Sequence, residues 1–242
     1  MPLPLPIADS NVQVVARINF CAEVNALRNI RLIYKKTGRA KYISHLDLNR
    51  LMTRVLKRSG LPVWFTEGFN PHAFITFALP LSLGFESRYD VMDFRVTDDN
   101  LSNDEILSAL KSALPPDIVA QKVYTALTKA KIIAFAEFDI DLVIDDINYN
   151  KFKDFLNADE IITEKTTKKK GLKTFDVKPK IIKYSVEKTG DNAKIYLLLP
   201  AGNIENINPT IILDAAEKQG IEFDVLNIVR GGIFDNNMNL FV

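Results

Sequence analysis

The 242-residue sequence contains one cysteine, Cys21, and two histidines, His45 and His72. A single thiol excludes an internal disulfide framework and fits a reducing compartment. It also excludes an iron–sulfur cluster held by this chain alone, because such clusters normally need three or four thiolates. The sequence therefore predicts no metal and no cofactor of its own.

Long apolar runs and nucleotide-binding loops are also missing from the sequence. No run approaches the roughly 20 apolar residues that a membrane helix needs, and the start "MPLPLPIADSNVQ" lacks the basic region of a signal peptide. We therefore expect a cytoplasmic protein without a membrane contact. Neither phosphate-cradling glycine loop occurs, and no Gly-x-Ser-x-Gly elbow, so the sequence disfavours nucleotide hydrolysis and a serine nucleophile.

The overall charge is also small. A formal net charge of +1 predicts no binding of polyanions by bulk charge, so such binding would have to depend on local clusters of cations. A hydrophobic content of 47% with 25% charged residues is that of a soluble globular protein with a large core.

The hydrophobic pattern predicts the order β-α-β-β-α-β twice, which is the arrangement of the ferredoxin-like fold. The predicted fold class is α+β, with two tandem ferredoxin-like halves. The expected organisation is a weakly ordered N-terminal arm at 1–28, a first domain at 29–128 and a second domain at 129–242. The expected core residues are Leu51, Val55, Leu56, Phe77 and Phe94 in the first half, and Phe138, Ile195, Leu197, Leu199 and Leu213 in the second.

The first predicted helix begins after Ser44, a good N-cap, with Asp47 in the capping-box position. Its basic residues recur at spacings that place them along one face: Arg50, Arg54, Lys57 and Arg58. Four more cations precede the helix, and aromatic residues are interleaved with them: Lys35, Lys36, Arg39 and Lys41, with Tyr42, Trp64, Phe65 and Phe69. This composition fits a surface that binds RNA by phosphate contacts and base stacking, but also an ordinary solvated face above core aromatics.

A second basic stretch, "KTTKKKGLKTFDVKPKIIK", follows in the second half. It fits either an extension of the first basic patch or a solvated turn.

The two histidines admit three interpretations. They could act as general acid and base, as ligands of a mixed metal site, or as structural groups that hold the local backbone by hydrogen bonds. Gly68 and Pro71 shape a Gly-Phe-Asn-Pro turn that places Asn70 and His72. We expect the helix start and this turn to converge, so that His45, Asn70 and His72 lie together with Ser87 or Asp90 in one cleft.

Taken together, "KTGRAKYISHLDLNRLMTRVLKRSGLPVWFTEGFNPHAFITFALPLSLGFESRYDVMDF" resembles a family of radical SAM-linked proteins of unknown function. Its members occur alone or fused behind radical SAM enzymes. The shared pattern comprises Lys-Thr-Gly, Ser-His-Leu-Asp, Gly-Phe-Asn-Pro-His, Pro-Leu-x-Leu-Gly and a Ser-x-x-acid-x-x-Asp motif that begins at Ser87. Asp90 stands where that family usually has Glu, and Phe74 where it usually has a basic residue.

The resemblance implies a radical SAM enzyme as partner, which would supply the chemistry. We expect a non-catalytic accessory protein that binds RNA and acts in RNA modification or maturation. The alternative is a metal-independent ribonuclease that uses His45 and His72. The expected binding residues are Lys41, His45, Asp47, Arg50, Arg54, Arg58, Gly68, Asn70, His72, Ser87 and Asp90.

Overall fold

A computed structural model describes residues 27–166 and 172–242. The N-terminal arm expected at 1–28, Cys21 within it, and the tip of the lysine-rich stretch at 167–171 lie outside the described residues, except for Leu27 and Arg28. Within the described ranges no helix is long and apolar enough to cross a membrane.

The first half of the chain forms four strands and two helices. The strands are β1 (Arg28–Lys36), β2 (Ile75–Phe77), β3 (Glu86–Val96) and β4 (Ile118–Thr125). The helices are α1 (His45–Arg58) and α2 (Asn103–Ala113). Short 3-10 turns lie at Gly38–Tyr42, between β1 and α1, and at Ala130–Ile132, after β4.

The second half repeats this order and adds a hairpin. Its main strands are β5 (Ile133–Val143), β8 (Lys183–Thr189), β9 (Asn192–Pro200) and β10 (Asp224–Asp235). The helices are α3 (Asp146–Asn157) and α4 (Thr210–Lys218). The additional hairpin consists of β6 (Ile162–Thr166) and β7 (Leu172–Asp176), and a 3-10 turn at Lys178–Lys180 follows it.

The strand order confirms the predicted fold class. The first half has the order β4-β1-β3-β2, and the second half has the same order, β10-β5-β9-β8. The protein is therefore an α+β protein built from two ferredoxin-like repeats. Among the described strands, the lysine-rich hairpin pairs only with itself and is an insertion, and β8 takes the place of the second strand in the repeat.

The two repeats share one sheet of eight strands. The short strand β2 pairs with the distal part of β3, at Phe94, Asp93 and Met92, and does not extend along the start of β3. Strand β10 fills this space in parallel, with Arg230 opposite Ser87. The junction between the repeats is therefore a backbone pairing rather than a flexible linker.

Two hydrophobic clusters form the core. Among the residues predicted for the first, Val55, Leu56 and Phe94 are buried, and Leu51 and Phe77 are partly buried against the cluster. All five residues predicted for the second are buried in the other cluster. That cluster also receives Ile33, Phe85 and Val91 from the first repeat, so the second core extends under the sheet of the first.

The C-terminal residues lie at this junction. Phe241 is buried in the second cluster, and the Arg31 guanidinium lies 4.1 Å from the centre of its ring. Arg31 also donates two hydrogen bonds to the Asp93 carboxylate, at 2.8 and 2.7 Å, and two to Thr128. The Tyr89 hydroxyl donates to the carbonyl of Phe241 at 2.8 Å. Arg31 is therefore a buried cation whose partners hold the two repeats together.

The start of α1 has the predicted cap. The Ser44 hydroxyl accepts a hydrogen bond from the backbone N–H of Asp47 at 3.1 Å and donates to the Asp47 carboxylate at 2.7 Å. We expect Ser44→Ala to lower the free energy of unfolding by about 1 kcal/mol, because one N–H at the helix start loses its acceptor. Urea denaturation measures this change. Ser108→Ala, at an exposed position inside α2, is the matched control and should stay within about 0.5 kcal/mol. An equal loss in both variants would contradict the capping role.

Candidate functional site

The basic face of α1 borders a groove, which we call the arginine groove. Arg50, Arg54 and Arg58 are exposed along its side at successive helical turns. Its apolar lining comes from the same helix, the preceding loop and the end of α2: Ile43, Leu51, Val55 and Pro115. The groove combines a row of cations with an apolar floor.

The charges in the arginine groove are only partly neutralised within the protein. Arg50 forms an exposed ion pair with Asp47 at 3.0 Å, which contributes little to stability in water. Two hydrogen bonds lower the pKa of Asp47 below its ordinary value: the larger effect comes from Ser44 and the smaller from Arg50. Arg58 donates to the carbonyl of Ala113 at the end of α2. Arg54 makes no hydrogen bond or ion pair within the described residues, so three cations face one carboxylate.

Lys41 lies at the other end of α1 and contacts the second repeat. Its ammonium donates to the Asn227 amide oxygen at 3.3 Å and lies 5.4 Å from the centre of the exposed Tyr42 ring. Lys41 is therefore both a cation beside an aromatic ring and a bridge between the repeats.

The Gly-Phe-Asn-Pro turn forms a closed loop over residues 66–72, which we call the aromatic turn. The Thr66 backbone N–H donates to the His72 carbonyl at 2.8 Å, and the His72 ring nitrogen Nδ1 lies 3.1 Å from the Thr66 hydroxyl. The same nitrogen lies 3.0 Å from the Asn70 carbonyl oxygen. Gly68 has a φ of +119°, which a side chain would strain. The turn presents the Phe69 ring fully to solvent, and Gly68, Asn70 and His72 are exposed as well.

The aromatic turn adjoins the basic helix at its base. The Lys57 ammonium lies 5.4 Å from the centre of the Phe65 ring, just before the turn. Arg95 stacks on Phe74 at 4.2 Å and on Trp64 at 5.2 Å, which fixes the two arms of the loop. The basic helix is therefore in contact with the base of the aromatic turn.

His45 has different neighbours from His72. Its ring packs edge-on against Phe77, with 5.1 Å between the ring centres, and it lines a narrow cavity that also contains Asp90. No hydrogen bond or ring contact joins the two imidazoles within the described residues. The structure thus places His45 at the cavity that Asp90 also lines and His72 in the aromatic turn, and the convergence of both histidines on one cleft stays a prediction.

Ser87 and Asp90 lie inside the protein, in a set of polar groups that we call the buried cluster: Tyr34, Lys36, Ser87, Asp90 and Arg230. Arg230 forms an ion pair with Asp90 in which the side chains are 2% and 5% exposed, and it donates to the Leu79 carbonyl at 2.9 Å. The Nε of Arg230 has no hydrogen-bond partner within the described residues. The cluster joins β1, β3 and β10, and so it spans both repeats.

Burial sets the protonation of this cluster. It raises the pKa of Asp90 above its ordinary value, although Arg230 and Lys36 oppose the change. It also raises the pKa of Tyr34, with a further increase from Asp90, so Tyr34 is neutral. The pKa of Lys36 is lowered by burial and by Arg230, against the opposing effect of Asp90. Perturbed groups around a cavity are typical of functional sites, although structural ion pairs also cause such shifts.

The sequence reading missed Tyr34 and Arg230 and counted Lys36 with the surface cations. A signal for Lys36 is its position at the end of β1, shortly after a run of mostly apolar residues that is buried throughout from Ile30 to Tyr34. Arg230 had no comparable signal, because its role depends on the pairing of β10 with β3.

The second basic stretch is only partly described. Its hairpin contacts α4, where Lys218 forms an ion pair with Glu164 of β6 at 2.8 Å. Further along, Lys178 donates to the Leu156 carbonyl, and Lys180 pairs with Glu205 at 3.0 Å. These described lysines thus have partners within the second repeat.

The fold and the site define an α+β protein of two ferredoxin-like repeats in one sheet, with a basic outer groove and a buried ionic cluster at the junction. The chain belongs to the family described as "Uncharacterized protein conserved in bacteria (DUF2344)", which matches residues 29–209. A search of curated proteins found no match.

Solved structures resemble the chain only distantly. A chain from the crystal structure of a Cbf5–Nop10–Gar1 complex is 12% identical with a TM-score of 0.43, and the match covers 82% of this chain and 47% of that one. This chain thus spans about half the length of that protein. An unknown protein from Galdieria sulphuraria is 13% identical with a TM-score of 0.27, over 82% of this chain and 97% of that one. Similarity at this level supports no argument about function.

Proposed function

We propose that this protein is a non-catalytic accessory protein of the cytoplasm that binds RNA and acts with a radical SAM enzyme in RNA modification or maturation. The observation that carries the proposal is the arginine groove, where Arg50, Arg54 and Arg58 lie at successive turns beside an apolar floor. Such a row matches the repeating phosphates of a nucleic-acid strand, and each contact would release counterions.

The aromatic turn supports RNA rather than another polyanion. Phe69 is fully exposed at the tip of a turn whose shape is held by hydrogen bonds. Little conformational entropy of the turn is therefore lost when a base stacks on the Phe69 ring. Base stacking on exposed aromatic side chains is how proteins usually bind unpaired RNA bases. A polyanion without bases would have no ring to stack on Phe69.

The radical SAM partner is supported by the resemblance of residues 36–94 to the radical SAM-linked proteins. The full sequence has one cysteine, so the iron–sulfur cluster of such chemistry would belong to the partner. The ribonuclease alternative has less support, because it needs a general acid and a general base at one site. His45 and His72 have separate neighbours, and the His72 ring is engaged within its own turn.

Crosslinking in the native cell tests this proposal. The tagged protein would be recovered after ultraviolet crosslinking, and the attached RNA and the co-purifying proteins would be identified. We expect a defined set of RNAs and a radical SAM enzyme with the wild-type protein. The variant with Arg50, Arg54 and Arg58 replaced by Ala should lose most of the crosslinked RNA.

The matched control removes three exposed cations outside the groove: Lys122, Lys131 and Lys194. Both variants change the net charge equally, so RNA recovery should fall only in the groove variant. Equal recovery in all three proteins would refute the RNA role, and the absence of a radical SAM enzyme would refute the partnership.

A further inference from the structure

Strand β8 forms one outer edge of the eight-stranded sheet. Among the described strands it pairs only with β9, through seven consecutive residue pairs without a shift in register. The edge at the other end of the sheet differs, because the pairing of β4 with β1 shifts in register between Ile33 and Tyr34. Such a bulge bends an edge strand and hinders the addition of another strand. The β8 edge is therefore the more regular of the two.

Alternate residues of β8 direct their backbone polar groups away from the sheet. The Ile144 N–H donates to the Asp191 carbonyl, so the odd-numbered residues of β9 bond to β5 and the even-numbered ones face β8. By the same alternation, the N–H and C=O groups point outward at three residues of β8: Tyr184, Val186 and Lys188. The Val186 carbonyl accepts a hydrogen bond of 3.4 Å from the Tyr149 hydroxyl, which agrees with this direction and leaves a second lone pair on the oxygen.

The sequence of β8 is complementary to itself in the antiparallel direction. When two copies pair across a two-fold axis at Ser185, Lys183 of each copy lies opposite Glu187 of the other. Tyr184 lies opposite Val186 in the same way, on the other face of the sheet. Pairs of opposite charge, and pairs of an aromatic with a β-branched residue, stabilise antiparallel sheets. The outward N–H and C=O groups of Tyr184 and Val186 also meet as a hydrogen-bonded pair.

The charged residues select this register over its neighbours. Axes at Tyr184 or Val186 would also bring the outward backbone groups of two copies together. In either arrangement, however, Lys183 and Glu187 lie opposite uncharged residues. The axis at Ser185 is therefore the one that the side chains of β8 favour.

We propose that the protein forms a symmetric dimer in which β8 pairs with β8 of a second copy around Ser185. The two sheets then become one continuous sheet. Because both copies use the same surface, the contact closes at two copies. The arginine groove lies on the first repeat and β8 lies at the far edge of the second, so the dimer does not depend on the RNA role.

Cysteine crosslinking of the full-length protein tests the register. Cys21→Ser removes the single native thiol, and Ser185→Cys is added to that protein. Opposite residues of a non-hydrogen-bonded pair have Cα atoms about 4.5 Å apart, a distance that suits a disulfide. The matched control is Thr189→Cys, which is exposed on the same face of β8, but whose two copies would lie roughly 27 Å apart. We expect the Ser185→Cys protein to form a covalent dimer at least about tenfold faster than the control.

Charge reversal tests the pairing itself. Sedimentation of the wild-type protein over a series of concentrations should give twice the mass of one chain. Lys183→Glu or Glu187→Lys alone places like charges opposite each other at two points, and should raise the dissociation constant of the dimer at least about tenfold. The double variant restores opposite charges and should restore the dimer. Glu187 also lies opposite Lys194 in its own chain, so the readout is mass rather than stability.

Three results would each overturn the proposal. They are a monomeric wild-type protein, equal crosslinking of the two cysteine variants, and a double charge variant that associates as weakly as the single ones.

Discussion

Replacing Asp90 by Ala is expected to lower the free energy of unfolding by about 3–5 kcal/mol, because it leaves a buried guanidinium without its counter-ion. The Asp90 and Arg230 side chains are 5% and 2% exposed, so water cannot replace the lost carboxylate. The Leu79 carbonyl would be the remaining hydrogen-bond partner of Arg230. Urea denaturation of the wild-type protein and the variant measures the loss.

The control for this prediction is Glu205→Ala. Glu205 also forms an ion pair, with Lys180, but both of these side chains are more than a third exposed. Exposed pairs contribute at most about 1 kcal/mol, so this variant should be close to wild type. If Asp90→Ala cost as little as Glu205→Ala, the buried cluster would not be the ionic junction that we describe.

Replacing Phe241 by Ala is expected to cost about 3–5 kcal/mol, although it lies next to the last residue of the sequence. The ring is buried in the second cluster and covers the Arg31 guanidinium, so its loss opens a cavity beside a buried cation. Differential scanning calorimetry should also show broader melting, since this contact helps to join the repeats.

The neighbouring residue provides the control for Phe241. Leu240 is 43% exposed, and Leu240→Ala should cost less than about 1 kcal/mol. Similar small losses for both variants would show that the C-terminal segment does not stabilise the junction.

Local patterns were sufficient to predict the two repeats. The strands alternate, the helices carry apolar residues at helical spacing, and Ser44 and Ser102 cap α1 and α2. At the start of α4, the Asn208 side chain accepts a hydrogen bond from the Thr210 N–H at 3.1 Å, while Pro209 occupies the cap position. Strands, helices and caps depend on residues that are close in the sequence, so one sequence is enough to predict them.

Long-range pairing could not be predicted in this way. The parallel contact of β10 with β3 joins residues about 140 positions apart, and nothing in either segment specifies the other. The buried cluster depends on that contact, so Arg230 could not be recognised. The histidines illustrate the same limit, because His45 and His72 belong to one sequence segment, yet the His45 ring packs on Phe77 and the His72 ring contacts Thr66.

The salt dependence of RNA binding tests the central claim most directly. The affinity for a single-stranded RNA recovered by crosslinking would be measured at several salt concentrations for three proteins. These are the wild type, the variant lacking Arg50, Arg54 and Arg58, and the control variant lacking Lys122, Lys131 and Lys194. If the groove follows the phosphates, the groove variant should bind more weakly, and its logarithmic salt slope should be flatter by about two units, at about 0.7 for each lost contact. The control variant should keep the wild-type slope. Equal slopes for all three proteins would contradict the claim that the arginine groove binds RNA.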